Sequence, residues 1–187
     1  MPLISRGFSL AETLIAMAIS AILLVGTSRF LPALQRQVLR QTQQQSLDNE
    51  LWQRVYTVAK HLQRAGYCHG QCVGQPLLIA SAGSCVIVRW DSNSNGVWES
   101  MPAATSDSTG FRLNNGALET RRGAVGCSEG GWEKMTNPGA LNVTHFQITR
   151  QNMAGFSPEF TVALAAHSAT DPRISAQAEY RVTGYNL

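Results

Sequence analysis

The chain has 187 residues, of which 44% are hydrophobic and 14% charged, with a formal charge of +3. That length accommodates one domain with a core of its own beside an anchoring segment. The arginines are scattered and form no basic stripe interleaved with aromatics, which argues against nucleic acid as a partner.

The first element is an apolar run from Phe8 to Ser28 with a single charge inside it, Glu12. As a helix, about 21 residues rise roughly 31 Å, enough to cross a bilayer core. A carboxylate inside lipid costs about 2.5–3.5 kcal/mol and needs a partner. The nearest cation is the amine that cleavage after Gly7 would expose. From the residues alone, three readings stay open: a secretory signal peptide, a signal anchor, or a short leader cut off at Gly7. The apolar run is longer than a usual signal peptide's, and no small-x-small cleavage site follows it. Arg6 before the run and Arg29 after it specify orientation weakly.

Gly7-Phe8-Ser9-Leu10-Ala11-Glu12 resembles the class III signal of type IV pilins and type II secretion pseudopilins. The matching residues are Gly7 before the cut, Phe8 as the new N-terminus, and Glu12 as the fifth residue after it. Ala11 departs from the family's larger aliphatic residue. Arg29 stands where major pilins have a kinking proline, and Pro32 follows three residues later. The resemblance implies cleavage between Gly7 and Phe8 by prepilin peptidase and N-methylation of Phe8. It further implies pairing of Glu12 with the terminal amine of a neighbouring subunit during assembly. A buried anion then acquires its cation only on correct docking.

Helical periodicity continues past the run, through Leu34, Val38, Leu47, Leu51, Val55, Val58 or Ala59, and Leu62. Pro32 is expected to bend this helix, and Gly66 to end it. A helix from Phe8 to Ala65 would be about 87 Å long. Gln41 to Ser46 is polar on every face, which fits either a spacer or an ordinary exposed turn. Trp52 and Tyr56 belong to the stripe of Leu47–Leu62 and read as packing residues.

After Gly66, glycine, asparagine and serine become frequent and short β-branched runs appear. The candidate strands are Leu77–Ala80, Val86–Trp90, Val97–Glu99, Phe111–Leu113, Ala117–Thr120, Val143–Arg150, Phe160–Ala165 and Ala176–Thr183. Asn115-Gly116 signals a two-residue hairpin, and Asn95-Gly96 a second one joining Val86–Trp90 to Val97–Glu99. The predicted class is α+β: a long N-terminal helix packed on a mostly antiparallel sheet. The expected division is a leader at 1–7, a membrane-spanning half-helix at 8–30, an amphipathic half at 31–65 and a β-rich head at 66–187. Trp132–Thr136 and Asn142–Ile148 resemble the late β-segment of minor pilins and minor pseudopilins.

Two constellations in the head invite chemistry. Cys68, Cys72, Cys85 and Cys127 are an even set; their spacing does not suit a zinc knuckle, and disulfides are the better reading in an oxidising compartment. Three pairings stay open. Asp91, Asn93 and Asn95, with Val97 and Glu99, match the start of a calcium loop, but Pro102 replaces the closing bidentate carboxylate. Any calcium affinity should be weak, and a polar turn at Asn95-Gly96 is the favoured reading. His61, His69, His145 and His167 are scattered, without a hydrolase or phosphate-loop motif, so no catalytic residue and no other cofactor is expected.

The expected function is a minor pilin that helps initiate or assemble type IV pili, with a type II secretion pseudopilin as the alternative. A membrane-anchored binding module or enzyme is the distant one. The resemblance implies prepilin peptidase, other major and minor pilins or pseudopilins, and an inner-membrane assembly platform as partners. It also implies a cytoplasmic N-terminus and a periplasmic head.

Overall fold

The computed structural model describes residues 9–99 and 105–187, with Arg29 described by its backbone alone. The leader, the Gly7–Phe8 bond and Pro102 lie outside the described residues. The helix α1 spans Leu10–Arg64 and continues through Pro32. The chain divides into two compact units, Met1–Gln43 and Gln44–Leu187. The division falls inside the polar Gln41–Ser46 stretch.

In the first unit the apolar side chains of α1 are exposed, from Leu10 at 78% to Leu39 at 62%. Its hydroxyls are satisfied within the helix. Ser20 Oγ donates to Ala16 O at 2.7 Å, and Thr27 Oγ1 donates to Leu23 O at 3.0 Å. Such back-bonding satisfies these hydroxyls without help from outside the helix.

In the second unit α1 buries Leu47, Leu51, Val55, Val58, Ala59 and Leu62 along one face. Each fully buried side chain of this kind contributes about 1.5–3 kcal/mol by leaving water. The face packs on two antiparallel sheets. The first has the order β1 (Leu77–Ala80), β2 (Cys85–Arg89), β3 (Ser108–Asn114), β4 (Ala117–Arg122) and β5 (Glu133–Lys134). The second has the order β6 (Leu141–Gln151), β7 (Glu159–Ser168) and β8 (Ser175–Thr183). Phe111 of β3 and Phe160 of β7 are among the largest fully buried side chains.

Asn115 and Gly116 both have positive φ, and Asn114 pairs with Ala117. The predicted two-residue hairpin is therefore present. The predicted strand Val97–Glu99 is not a strand, and Asn95-Gly96 joins no hairpin. Strand β2 is already paired on both edges, with β1 and β3, so nothing is left for it to pair with. In β6 the pairing with β7 shifts register between Val143 and His145, which lets Val143 and Phe146 both face the core. The extra residue of a bulge is what permits two core positions three apart in a strand.

Gly66 ends α1 with φ +85 and donates its N–H to Arg89 O at 2.9 Å. A Cβ there would lie 2.3 Å from the Asn186 carbonyl, so glycine is required by conformation and by space. In β8, Ala178 and Val182 are buried, while Tyr180 is exposed and packs edge-on to Tyr56 at 5.0 Å. Trp52 lies 5.4 Å from Tyr56, so both aromatics predicted as packing residues do pack.

Candidate functional site

The candidate assembly site is the start of α1. Ser9 Oγ accepts the N–H of Glu12 at 3.3 Å, and Glu12 Oε2 accepts the N–H of Ser9 at 2.9 Å. This reciprocal pair is a capping box, satisfying two backbone donors that the helix start leaves open. Its signal, serine followed three residues later by glutamate, lies within the processing motif and was missed in the sequence. The box aims one carboxylate oxygen toward the chain's N-terminal end. Glu12 Oε1 has no hydrogen-bond partner among the described residues. The helix beyond is long and apolar enough to cross a membrane.

The head holds the remaining candidates. Cys68 pairs with Cys72 and Cys85 with Cys127, four and 42 residues apart. The first bridge closes the loop that leaves α1. The second ties β2 to the loop after β4.

The loop that follows β2 is organised around Asp91, which is wholly buried. Asp91 Oδ2 accepts the N–H of His69 at 3.1 Å and of Gly96 at 2.9 Å, and Oδ1 accepts that of Asn95 at 3.1 Å. Burial by itself would raise the Asp91 carboxyl; the donors at His69, Gly96, Asn95 and Ser94 outweigh it and hold the group below the usual carboxylate range. Asp91 thus fastens the helix exit to the loop. Asn93 Oδ1 and Asn95 Oδ1 accept the N–H groups of Asn95 and Val97, at 3.0 Å each. Glu99 Oε1 accepts from Asn95 Nδ2. The side-chain oxygens of Asn93 and Asn95 thus point at donors of their own loop, and those of Asp91 at donors of the loop and of the helix exit.

Asp107 closes the same loop, accepting from Ser92 Oγ at 2.6 Å and from the N–H of Glu99 at 3.3 Å. Burial again opposes the charge, and hydrogen bonding with the side chains of Glu99 and Ser92 and with their amides lowers the Asp107 carboxyl below its ordinary value. His61 is lowered as well, first by burial and then by the neighbouring charges of Arg64 and Lys60, against the Thr57 carbonyl that raises it. Its ring stands edge-on to Phe111 at 5.1 Å. His167 is engaged at both nitrogens, with Asn142 Nδ2 and Ser168 O. The structure does not bring the four histidines together.

Comparison with known proteins agrees with this geometry at both ends of the chain. A family model described as Prokaryotic N-terminal methylation motif matches residues 4–28. Another, described as Prepilin peptidase-dependent protein B, matches residues 40–184. The chain is 55% identical, over all 187 residues of both chains, to Prepilin peptidase-dependent protein B of Escherichia coli (strain K12). No solved structure matches it. A methylation motif, an exposed apolar helix and a match that runs through the β-rich head lead to one conclusion: the chain belongs to the prepilin peptidase-dependent protein B family and is a pilin-like protein.

Proposed function

We propose that this chain is a minor pilin that helps to initiate or assemble type IV pili. The observation that carries the reading is the first unit's helix. It is apolar enough to span a membrane, its apolar side chains are uncovered, and its one acid sits near the start. Prepilin peptidase cuts between Gly7 and Phe8 and the new amine is methylated. In the membrane, Glu12 keeps Oε2 on its capping box and presents Oε1 outward. The terminal amine of an adjacent subunit supplies the missing cation as the helices pack together. An uncompensated buried charge costs about 3–5 kcal/mol, so the pair selects for correct docking. The head, in the periplasm, selects which other minor subunits it meets, and the inner-membrane platform drives their extraction.

Mass spectrometry of the mature protein tests the first step. Methylated Phe8 is expected at the N-terminus; an intact Met1 would refute the processing. Glu12→Val should leave membrane insertion intact and block incorporation into filaments. Loss of secreted proteins with surface fibres unaffected, on deleting the gene, would instead make it a type II secretion pseudopilin. Orientation needs its own test, because Arg29, Arg36 and Arg40 follow the span and only Arg6 precedes it. By the positive-inside rule that imbalance opposes a periplasmic head. A reporter fused after Leu187 should nonetheless be active in the periplasm, and cytoplasmic activity would overturn the topology.

A further inference from the structure

Between Glu12 and Asp48 the chain has three arginines and no acid. Arg36 and Arg40 are one helical turn apart and so share a face of α1. Both are exposed, and neither has a hydrogen-bond or ion-pair partner among the described residues. A shallow recess beside them is lined by Ala33, Gln37, Leu39 and Gln43. Two like charges at this spacing disfavour the helix, and nothing in their own unit offsets them. An external anion would.

The position of the pair says which anion. Arg36 is eight residues past Ser28, about 12 Å of helix rise. Phe30, Leu31 and Leu34 extend the exposed apolar surface beyond Ser28 and bring the edge of the lipid closer still. Side chains on a helix lean toward its N-terminus, here back toward the span. A guanidinium on a long apolar stem is suited to reach the headgroup layer in that direction.

We propose that Arg36 and Arg40 form a binding site for anionic phospholipid headgroups at the end of the membrane span. Each guanidinium donates two N–H groups to phosphate oxygens. A headgroup with net negative charge is preferred over a zwitterionic one, whose own cation competes. The site sets the depth of the anchored helix and must release its lipid when the subunit leaves the membrane. It rests on the reading of α1 as a membrane span.

The test uses the full chain, reconstituted in mixed phosphatidylglycerol and phosphatidylcholine membranes. The membranes are washed with alkaline carbonate, then extracted in mild detergent, and the retained lipids are counted by native mass spectrometry. Wild type should retain phosphatidylglycerol selectively. Arg36→Gln with Arg40→Gln should lose up to about fivefold of that preference per arginine, and added salt should weaken it in wild type. Arg54→Gln, which removes a cation paired with Glu50 farther along α1 in the second unit, should keep it. Equal retention by the double variant and wild type overturns the proposal. So does a double variant that loses an acidic protein partner while its lipids stay unchanged. Release of the chain by carbonate would defeat the membrane reading along with it; an embedded chain with no lipid preference defeats the headgroup site alone.

Discussion

Asp91→Ala is the sharpest probe of how the head is held together. The carboxylate accepts the backbone N–H groups of His69, Asn95 and Gly96 at 2.9–3.1 Å, and the exposed Ser94 supports its charge as well, without counting among the donors that its loss strands. Without it the N–H of Asn95 still has Asn93 Oδ1 at 3.0 Å, so two donors, on His69 and Gly96, are left without an acceptor. Each such donor costs about 1–3 kcal/mol when buried, which brackets the loss between about 2 and 6 kcal/mol. Water reaches both donors in part, because His69 is exposed and Gly96 is half-buried, so the loss falls in the lower half of that range. We therefore expect about 3 kcal/mol. Chemical denaturation of the full chain in mild detergent measures it, followed by tryptophan fluorescence. The four tryptophans, Trp52, Trp90, Trp98 and Trp132, all lie in the second unit, so the signal reports the head. At a urea dependence of about 2 kcal/mol per molar, the midpoint should fall by about 1.5 M. Asp91→Asn should fall between the two, because its amide turns an N–H toward a backbone donor. An Asp91→Ala midpoint within about 0.25 M of wild type, or about 0.5 kcal/mol, would refute the argument that this carboxylate fastens the loop to the helix exit.

Other outcomes follow from the same structure. Removing the Cys85–Cys127 bridge should cost about 4 kcal/mol and removing Cys68–Cys72 about 2 kcal/mol, because the first closes much the longer loop; denaturation of the two double-alanine variants compares them. Gly116→Ala should destabilise the head by more than about 1 kcal/mol, since φ is +72 and a Cβ would collide with the Asn142 side chain; a midpoint equal to wild type would contradict it. Millimolar calcium should leave the denaturation midpoint unchanged, because the oxygens of Asp91, Asn93 and Asn95 already accept N–H groups; a concentration-dependent rise would restore the calcium loop. Acid should destabilise the head in two windows. Asp91 and Asp107 are lowered from 3.8 in the fold, so the unfolded chain protonates first, and their contribution is complete above about pH 3.8 and lost as pH falls below it. His61 is lowered from 6.5, so again the unfolded chain takes up the proton first, and stability declines as pH drops through 6.5. The stability curve of His61→Gln against pH should lack its window, and that of Asp91→Asn should keep only the part of the acid window that Asp107 supplies.

Much of this protein follows from local pattern alone. The apolar run, the processing motif and the stripe from Leu47 to Leu62 depend only on spacing along one helix. The structure is helical from Leu10 through the apolar run and buries the stripe, while the Gly7–Phe8 bond lies outside the described residues. The turn at Asn115-Gly116 is legible for the same reason, since positive φ at two adjacent residues selects those residue types. What sequence could not settle involves competition between distant segments. Val97–Glu99 has the composition of a strand, yet β1 and β3 occupy both edges of β2, and pairing slots are assigned only when the sheet forms. Asp91 reads in the sequence as a candidate cation ligand, and its acceptance of the N–H of His69, 22 residues earlier, emerges only when the chain folds. The cysteine pairing and the bulge that lets Val143 and Phe146 face one core are likewise properties of chain crossings, which no window of sequence contains. The sequence by itself determined the helix, its charge pattern and the class of the head. Only the tertiary structure decided which polar groups are spent on holding the head together, because a donor and its acceptor must first be brought within 3 Å or so of each other.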